Sequence, residues 1–292
     1  MVQSLKRDTC LNKKFSIVFY LIQDSAYSLT TSPTNSTYIT YSLSAIMSTL
    51  NAAFAPICVS FEHCKTVIIP NYEFNRWRAY SNGAHVISNW FTENTICIYI
   101  PKEILDIRPD DPEYSYAYGP PTKTLTLMTT TIAPGNSIVI QRNKSMDKNR
   151  IDARGPNILH AMGHFFGLEH TFFEKAPNSN MASAIPLPPA SSSPTIATHE
   201  FAERSNFQNC YEHGDGFCDT EADPYPSTST INPTQAFIGG CSDNSGLKDG
   251  KGDFYVPPID NIMSVYECRC RFSQEQLNYM AYMIQTRRLY LH

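Results

Sequence analysis

The chain has 292 residues, of which 42% are apolar and 17% charged, so it can bury a sizeable core and is not disordered throughout. Lys and Arg number 23 against 27 Asp and Glu, a net charge of −4 that lacks the basic excess of a nucleic-acid binder. The longest strongly apolar run, Ile17 to Ile22, has six residues, far below the roughly 20 of a membrane-spanning helix.

Residues 1–16 carry Lys6, Arg7, Lys13 and Lys14 but no apolar segment. If the protein is exported, its signal peptide and any pro-segment are therefore expected to lie outside this sequence. Lys14 to Ile22 is short and rich in β-formers, and reads as a core strand. Ile39, Leu43, Ile46, Met47, Leu50 and Phe54 recur at helical offsets and predict a helix over Thr37 to Phe54. Cys58 to Ile69, Thr95 to Ile100, Thr124 to Ile132 and Ser137 to Gln141 read as strands, and Asp110 to Pro121, rich in Tyr, Pro and Asp, as a loop. A second helix is expected from Gly155-Pro156, carrying Ile158, Leu159, Met162, Phe165 and Phe166 and ended by Gly167. Residues 176–199 hold five prolines, five serines and no charged side chain, which predicts an inserted loop. From Cys210 to Cys270 the chain is rich in Gly, Asp and Cys and has little periodicity. A last helix is expected from Ser273, its N-cap, with Gln276 completing a capping box and Leu277, Met280, Ala281, Ile284 and Leu289 on the apolar face.

The chemistry concentrates in His160-Ala-Met-Gly-His164-Phe-Phe-Gly-Leu-Glu-His170. His160 and His164 are four residues apart, so on a helix both imidazoles reach one metal. Gly167 accepts a left-handed conformation and lets the chain turn, so that His170 can come round as a third ligand. Three neutral nitrogens with one open position make a catalytic rather than a structural zinc site.

This stretch resembles the metzincin zinc-peptidase signature H-E-x-x-H-x-x-G-x-x-H at His160, His164, Gly167 and His170, and departs from it at Ala161, where the family has its general-base glutamate. Two explanations are open: an engineered substitution, or a natural pseudoenzyme that keeps its metal. Asn261-Ile-Met263-Ser-Val-Tyr266 is similar to the methionine turn that lies beneath the zinc, with Met263 as the apolar base. Gly214-Asp-Gly-Phe-Cys-Asp-Thr220, Asn261 and the Phe272-Ser273-x-x-Gln276 entry to the last helix resemble the pappalysin family within the metzincins. The family's oxyanion-steadying tyrosine falls two residues after the methionine. Here that place is Val265, and the role passes to Tyr266.

The resemblance implies an α+β fold. An upper subdomain, residues 1–170, would hold a twisted mixed sheet, a backing helix and the zinc helix. An irregular lower subdomain, residues 171–292, would hold the insertion, the Met turn and the C-terminal helix. It implies a zinc-dependent endopeptidase, nearly inert with Ala161, acting as a monomer on an extended peptide or protein substrate that lies between the subdomains and pairs with an edge strand. The rival class is a secreted binding module that recognises peptides without cleaving them. Calcium is a further implied cofactor, with Asp215, Asp219, Thr220, Asp243, Asp249 and Asp253 as candidate ligands.

Nine cysteines without a C-x-x-C pair point to a disulfide-containing secreted protein. Four precede the zinc helix and five follow it, so pairing within each group would leave four bridges and one thiol. Cys241 with Cys270, and Cys210 with a neighbour, are the first pairings expected.

Overall fold

The computed structural model describes residues 10–24, 33–105, 115–117, 136–141, 155–171, 200–202, 210–211, 214–223, 252–264, 266, 268–289 and 291. The chain separates into two compact units, Met1–Gly167 with Leu277–His292, and Leu168–Gln276. Residues 277–292 thus group with the first unit, whereas the sequence reading kept all of 171–292 together. The class is α+β.

In the first unit, β1 (Lys13–Gln23) is an almost continuous apolar run because both of its faces are covered. It lies between β2 (Val59–Pro70) and β4 (Ile96–Ile100), parallel to each. A parallel neighbour needs a long crossover, and α1 (Pro33–Phe54) supplies it between β1 and β2. The sheet continues through β7 (Ser137–Ile140), parallel to β4, to β6 (Ser115–Ala117), antiparallel to β7, giving the order β2-β1-β4-β7-β6. Its mixed character is as expected. Strand β6 falls inside Asp110 to Pro121, which the sequence reading gave as loop. Thr124 to Ile132 lies outside the described residues.

Each sheet face has its own core. On one, Leu43, Ile46, Leu50 and Phe54 of α1 are buried at helical spacing. Phe54 meets Phe61 and Phe166 edge-on at 5.2 and 5.6 Å, and Phe15 lies 5.9 Å from Phe166. This aromatic cluster seats the chain just past α3 (Gly155–Phe165), the helix that carries two of the histidines. On the other face, Val18, Tyr20, Ile22, Cys97, Tyr99 and Val139 pack with Trp77 and Ile104. Tyr20 stacks on Tyr99 at 4.7 Å, and their hydroxyls donate to or share bonds with the Trp90 carbonyl and Thr92. Burial pushes the Tyr20 phenol up to about 12 and raises Tyr99 and the Cys97 thiol as well.

Strands β1 and β2 keep register except between Ile17 and Val18, where β2 contributes one additional residue, Cys64. Beyond β2 a two-stranded parallel pair, β3 (Arg76–Trp77) and β5 (Glu103–Ile104), and the short α2 (Ala84–Asn89) are held by asparagine side chains. The Asn75 amide donates to Asp24 and its Oδ1 accepts from the Lys102 amide. Asn82 donates to the Glu73 and Arg76 carbonyls.

The second unit is irregular and contains the first turn of α4 (Gln274–Thr286). The capping box is formed in both directions: the Gln276 amide donates to Ser273 Oγ at 3.1 Å and the Ser273 amide to Gln276 Oε1 at 3.0 Å. Leu277, Met280, Ala281 and Ile284 are buried as expected. Leu289 is 52% exposed, because the helix ends at Thr286 and the periodicity ends with it.

The cysteine pairing meets the expectation in part: Cys210 pairs with a neighbour, Cys218, and both bridges among the described residues lie within the expected groups. Cys10–Cys58 and Cys210–Cys218 are bridged, and Cys268 is also disulfide-bonded. Among the described residues Cys64, Cys97 and Cys270 are free thiols, so Cys270 is not a bridge partner and more than one thiol is left over. Cys241 lies outside the described residues. Among the described residues no helix is long and apolar enough to cross a membrane.

Candidate metal centre

Helix α3 has the composition and ends that its position requires. Ile158, Leu159, Met162 and Phe165 are buried on the side facing the core, while His164, one turn after His160, is partly open. At its C-terminus the Phe166 amide donates to both the Met162 and Gly163 carbonyls, at 3.0 and 3.1 Å, and the Gly167 amide donates to His164 at 2.9 Å. The tightened last turn then reverses at Gly167, whose φ is +93°, a value an L side chain resists. Six residues after His164 the chain presents His170.

The three histidines converge. One ligand atom from each of His160, His164 and His170 lies within 4.8 Å of the others, and among the described residues they form the group of three or more metal-ligating side chains brought this close. The Nε2 atoms of His160 and His164 are 3.0 Å apart, with rings 4.7 Å between centroids and 82° between planes. Zn–N bonds of about 2.0–2.1 Å at a tetrahedral angle put ligand nitrogens roughly 3.3 Å apart, close to this separation. The donor set therefore fits zinc. Ala161 stands between them in sequence with its side chain wholly buried.

The turn at Met263, expected from the resemblance to be a Met turn, is built by Asn261. Its Oδ1 accepts the Met263 amide at 2.8 Å, and its carbonyl accepts the Ser264 amide and hydroxyl at 3.1 and 2.8 Å. The Asn261 amide donates to Gln276 Oε1 at 3.0 Å, and Arg269 holds the Ser264 carbonyl at 3.0 Å. Met263 is fully buried, and its carbonyl accepts the amide of Thr171, the residue following His170, at 3.2 Å. The methionine is thus tied by backbone to the segment that carries the third histidine.

Tyr266 donates its hydroxyl to Asp223 Oδ1 at 3.2 Å, and Thr171 Oγ1 donates to the other oxygen of the same carboxylate at 2.6 Å. Asp223 was not readable as a site residue. It has no motif around it, and its two partners lie 52 and 43 residues away. Val265 lies outside the described residues.

The carboxylates proposed for calcium are occupied by hydrogen bonds in part. Asp215 is buried and accepts the Phe217 amide at 3.0 Å, the Thr220 hydroxyl at 2.9 and 3.0 Å, and the Gln276 amide at 3.3 Å. Asp219 accepts the Glu275 amide at 2.8 Å and so stabilises the N-terminus of α4. A buried carboxylate that the sequence did not flag, Glu200, lies directly over Gly214, where a Cβ would come within 2.2 Å of its oxygen. Asp253 is exposed, and Asp243 and Asp249 lie outside the described residues.

No protein-family model matches this sequence, and no curated protein does. Solved structures do. Mature mirolysin of Tannerella forsythia, in complex with a cleaved peptide, is similar over 95% of this chain and 94% of its own, with 12% identity and a TM-score of 0.53. Mirolysin in complex with a compound gives the same coverage, identity and score. The chain therefore has the fold of mirolysin, a pappalysin-like metzincin.

Proposed function

We propose that the chain is a secreted zinc-binding metzincin scaffold of the pappalysin type, built to hold an extended peptide or protein segment, in which Ala161 occupies the place of the catalytic base. The observation that carries this reading is the convergence of His160, His164 and His170 in a stretch that otherwise keeps the peptidase signature. Zinc held there supplies a Lewis acid for a peptide carbonyl and an acidified water. The remaining chemistry belongs to the chain, and two proton-handling groups are missing or engaged. The Ala161 methyl can neither accept a proton from water nor return one to a leaving amine. The Tyr266 phenol has one proton, directed at Asp223, and reaches a developing oxyanion only by exchanging that acceptor.

The parent activity is then an endopeptidase that Ala161 has silenced by engineering. A second reading, a natural zinc-binding pseudoenzyme acting as a peptide- or protein-binding module, is favoured by the Tyr266–Asp223 contact, since both groups that would move protons are withdrawn together. The disulfides Cys10–Cys58 and Cys210–Cys218 support an oxidising, extracellular setting, and the protein acts as a monomer. Calcium enters the reading as a second cation of the acid-rich segment, supported by the burial of the Asp215 and Glu200 carboxylates at the Gly214 turn.

Ala161→Glu tests the assignment. A glutamate at this position is expected to raise peptidase activity ~10²–10⁴-fold over the present chain, the usual worth of a general base. A zinc chelator or His164→Ala should abolish the gain. A folded, zinc-loaded Ala161→Glu protein that cleaves nothing in a broad peptide library would leave the binding module as the function.

A further inference from the structure

Arg288 is wholly buried, which is unusual for a side chain that keeps its charge at all accessible pH values. Its Nε and a terminal nitrogen both donate to one acceptor, the Phe165 carbonyl, at 3.2 and 2.7 Å. The guanidinium also lies over the Phe165 ring, 3.8 Å from its centroid. Phe165 is the last residue of α3, directly after His164 and two before the Gly167 reversal that leads to His170. The contact spans 123 residues of sequence and lies wholly within the first unit.

The Met162, Gly163 and His164 carbonyls are each met by an amide at the end of the helix. Phe165 is the next carbonyl, and it receives a cation. That is the favourable charge for the negative end of the helix dipole, and it comes from outside the helix. Holding both the backbone oxygen and the ring of one residue fixes the rotation of the last turn about the helix axis. The rotation decides where His164 points and in which direction the chain leaves at Gly167.

We infer that Arg288 is a positioning residue for the metal centre, clamping the terminal turn of α3 so that His164 and the following turn to His170 are preset for one ion. The inference rests on the zinc reading above. It assigns to the C-terminal end of the chain a part in metal affinity that no feature of the histidine motif indicates. Partners that orient metal ligands from outside the coordination shell are typically worth about 10- to 100-fold in affinity.

The test is zinc and cobalt titration of the purified full chain, with an Arg288→Met variant that keeps the stem and loses the fork, and Arg288→Lys, which can make a single bond without the planar stack. Ile284→Ala, a buried position of α4, serves as a control for general destabilisation. The expected result is a ~10- to 100-fold weaker zinc affinity and an altered cobalt absorption spectrum for Arg288→Met, a smaller change for Arg288→Lys, and unchanged affinity and spectrum for Ile284→Ala even where its melting temperature falls further. An Arg288→Met chain that binds zinc as tightly as the parent, with the same cobalt spectrum, overturns the proposal. If Arg288→Met does not fold, Arg288→Lys decides on the same two readouts. A parent chain that binds no zinc would instead defeat the metal reading itself.

Discussion

The two compact units are held by different means. In Met1–Gly167 with Leu277–His292, parallel strands and helices bury Phe15, Phe54, Trp77, Tyr99 and Phe166 in two apolar layers. In Leu168–Gln276 the described residues form almost no regular structure, and a connected set of polar side chains replaces it. Gln276 hydrogen-bonds both Asp215 and Asn261, and from that cluster extend the turn at Met263, the Thr220 hydroxyl and the α4 cap. An apolar layer tolerates small errors of direction, because dispersion and burial are nearly isotropic. A polar cluster does not, because each lost bond leaves a buried group with its full desolvation cost. The turn that carries Met263 is built in the stricter way.

Substitutions can break this contrast. Phe54→Ala should be the most damaging, about 3–5 kcal/mol in denaturant unfolding, since it removes a fully buried ring from the cluster around Phe61 and Phe166. Replacing Cys210 and Cys218 with serines removes a bridge that closes a short loop, its cysteines eight residues apart, and should cost about 2–3 kcal/mol. Asn261→Leu preserves volume but leaves the buried Met263 amide without its acceptor and removes one of the two donors to Gln276 Oε1, at about 1–3 kcal/mol for the amide left unsatisfied. Hydrogen exchange should show that loss around 261–264 while β1 and β4 stay protected. An Asn261→Leu protein with uniform loosening of β1 would erase the distinction between the units. Ser273→Ala removes one half of the capping box, with an expected loss of about 1 kcal/mol confined to the first turn of α4.

A pH titration sharpens the same contrast. The Tyr20 phenol is raised to about 12 in the folded chain against about 10 when unfolded. A raised acid keeps its proton better in the folded state, so its stabilisation is complete below pH ~10 and is lost as pH rises from there to about 12. Tyr99 moves in the same direction. The first unit should lose stability across that window, with phenolate absorbance appearing together with unfolding. Tyr20→Phe should flatten the slope.

Most of the first unit could be read from sequence because its signals are local. The KFSIVFYLI run, the helical spacing of Leu43 to Phe54 and the Gly155-Pro156 start each announce their element within a dozen residues. What escaped has no local signature. Strands β3 and β5 are two residues each and exist through Asn75, and β6 lies in a Tyr- and Pro-rich stretch that only its pairing with β7 makes a strand. The convergence of the three histidines, a group that could hold a metal, was legible because a helix repeats every turn and Gly167 marks where it stops. Asp223, Glu200 and Arg288 meet residues 40 or more positions away, and no periodicity carries that information. Cysteine pairing was legible only in part: Cys210 does pair with a neighbour, but spacing along the chain does not encode which thiols the fold leaves unpaired, Cys64, Cys97 and Cys270 among the described residues.

The additional residue at Cys64 divides β2 into two reading frames. Phe61 and Ile69 are both odd-numbered, so in an uninterrupted strand they would occupy one face. Instead Phe61 joins Phe15 and Phe54 in one layer, and Ile69 joins Tyr20 and Ile22 in the other. One strand thereby serves both layers, and it does so by a count of one. Removing a single residue at 64 would put the two segments back in phase, turning either the Phe61 or the Ile69 half of the strand inside out. A strand lying at the sheet's margin, where insertions and deletions are ordinarily tolerated, is here as sensitive to length as the centre.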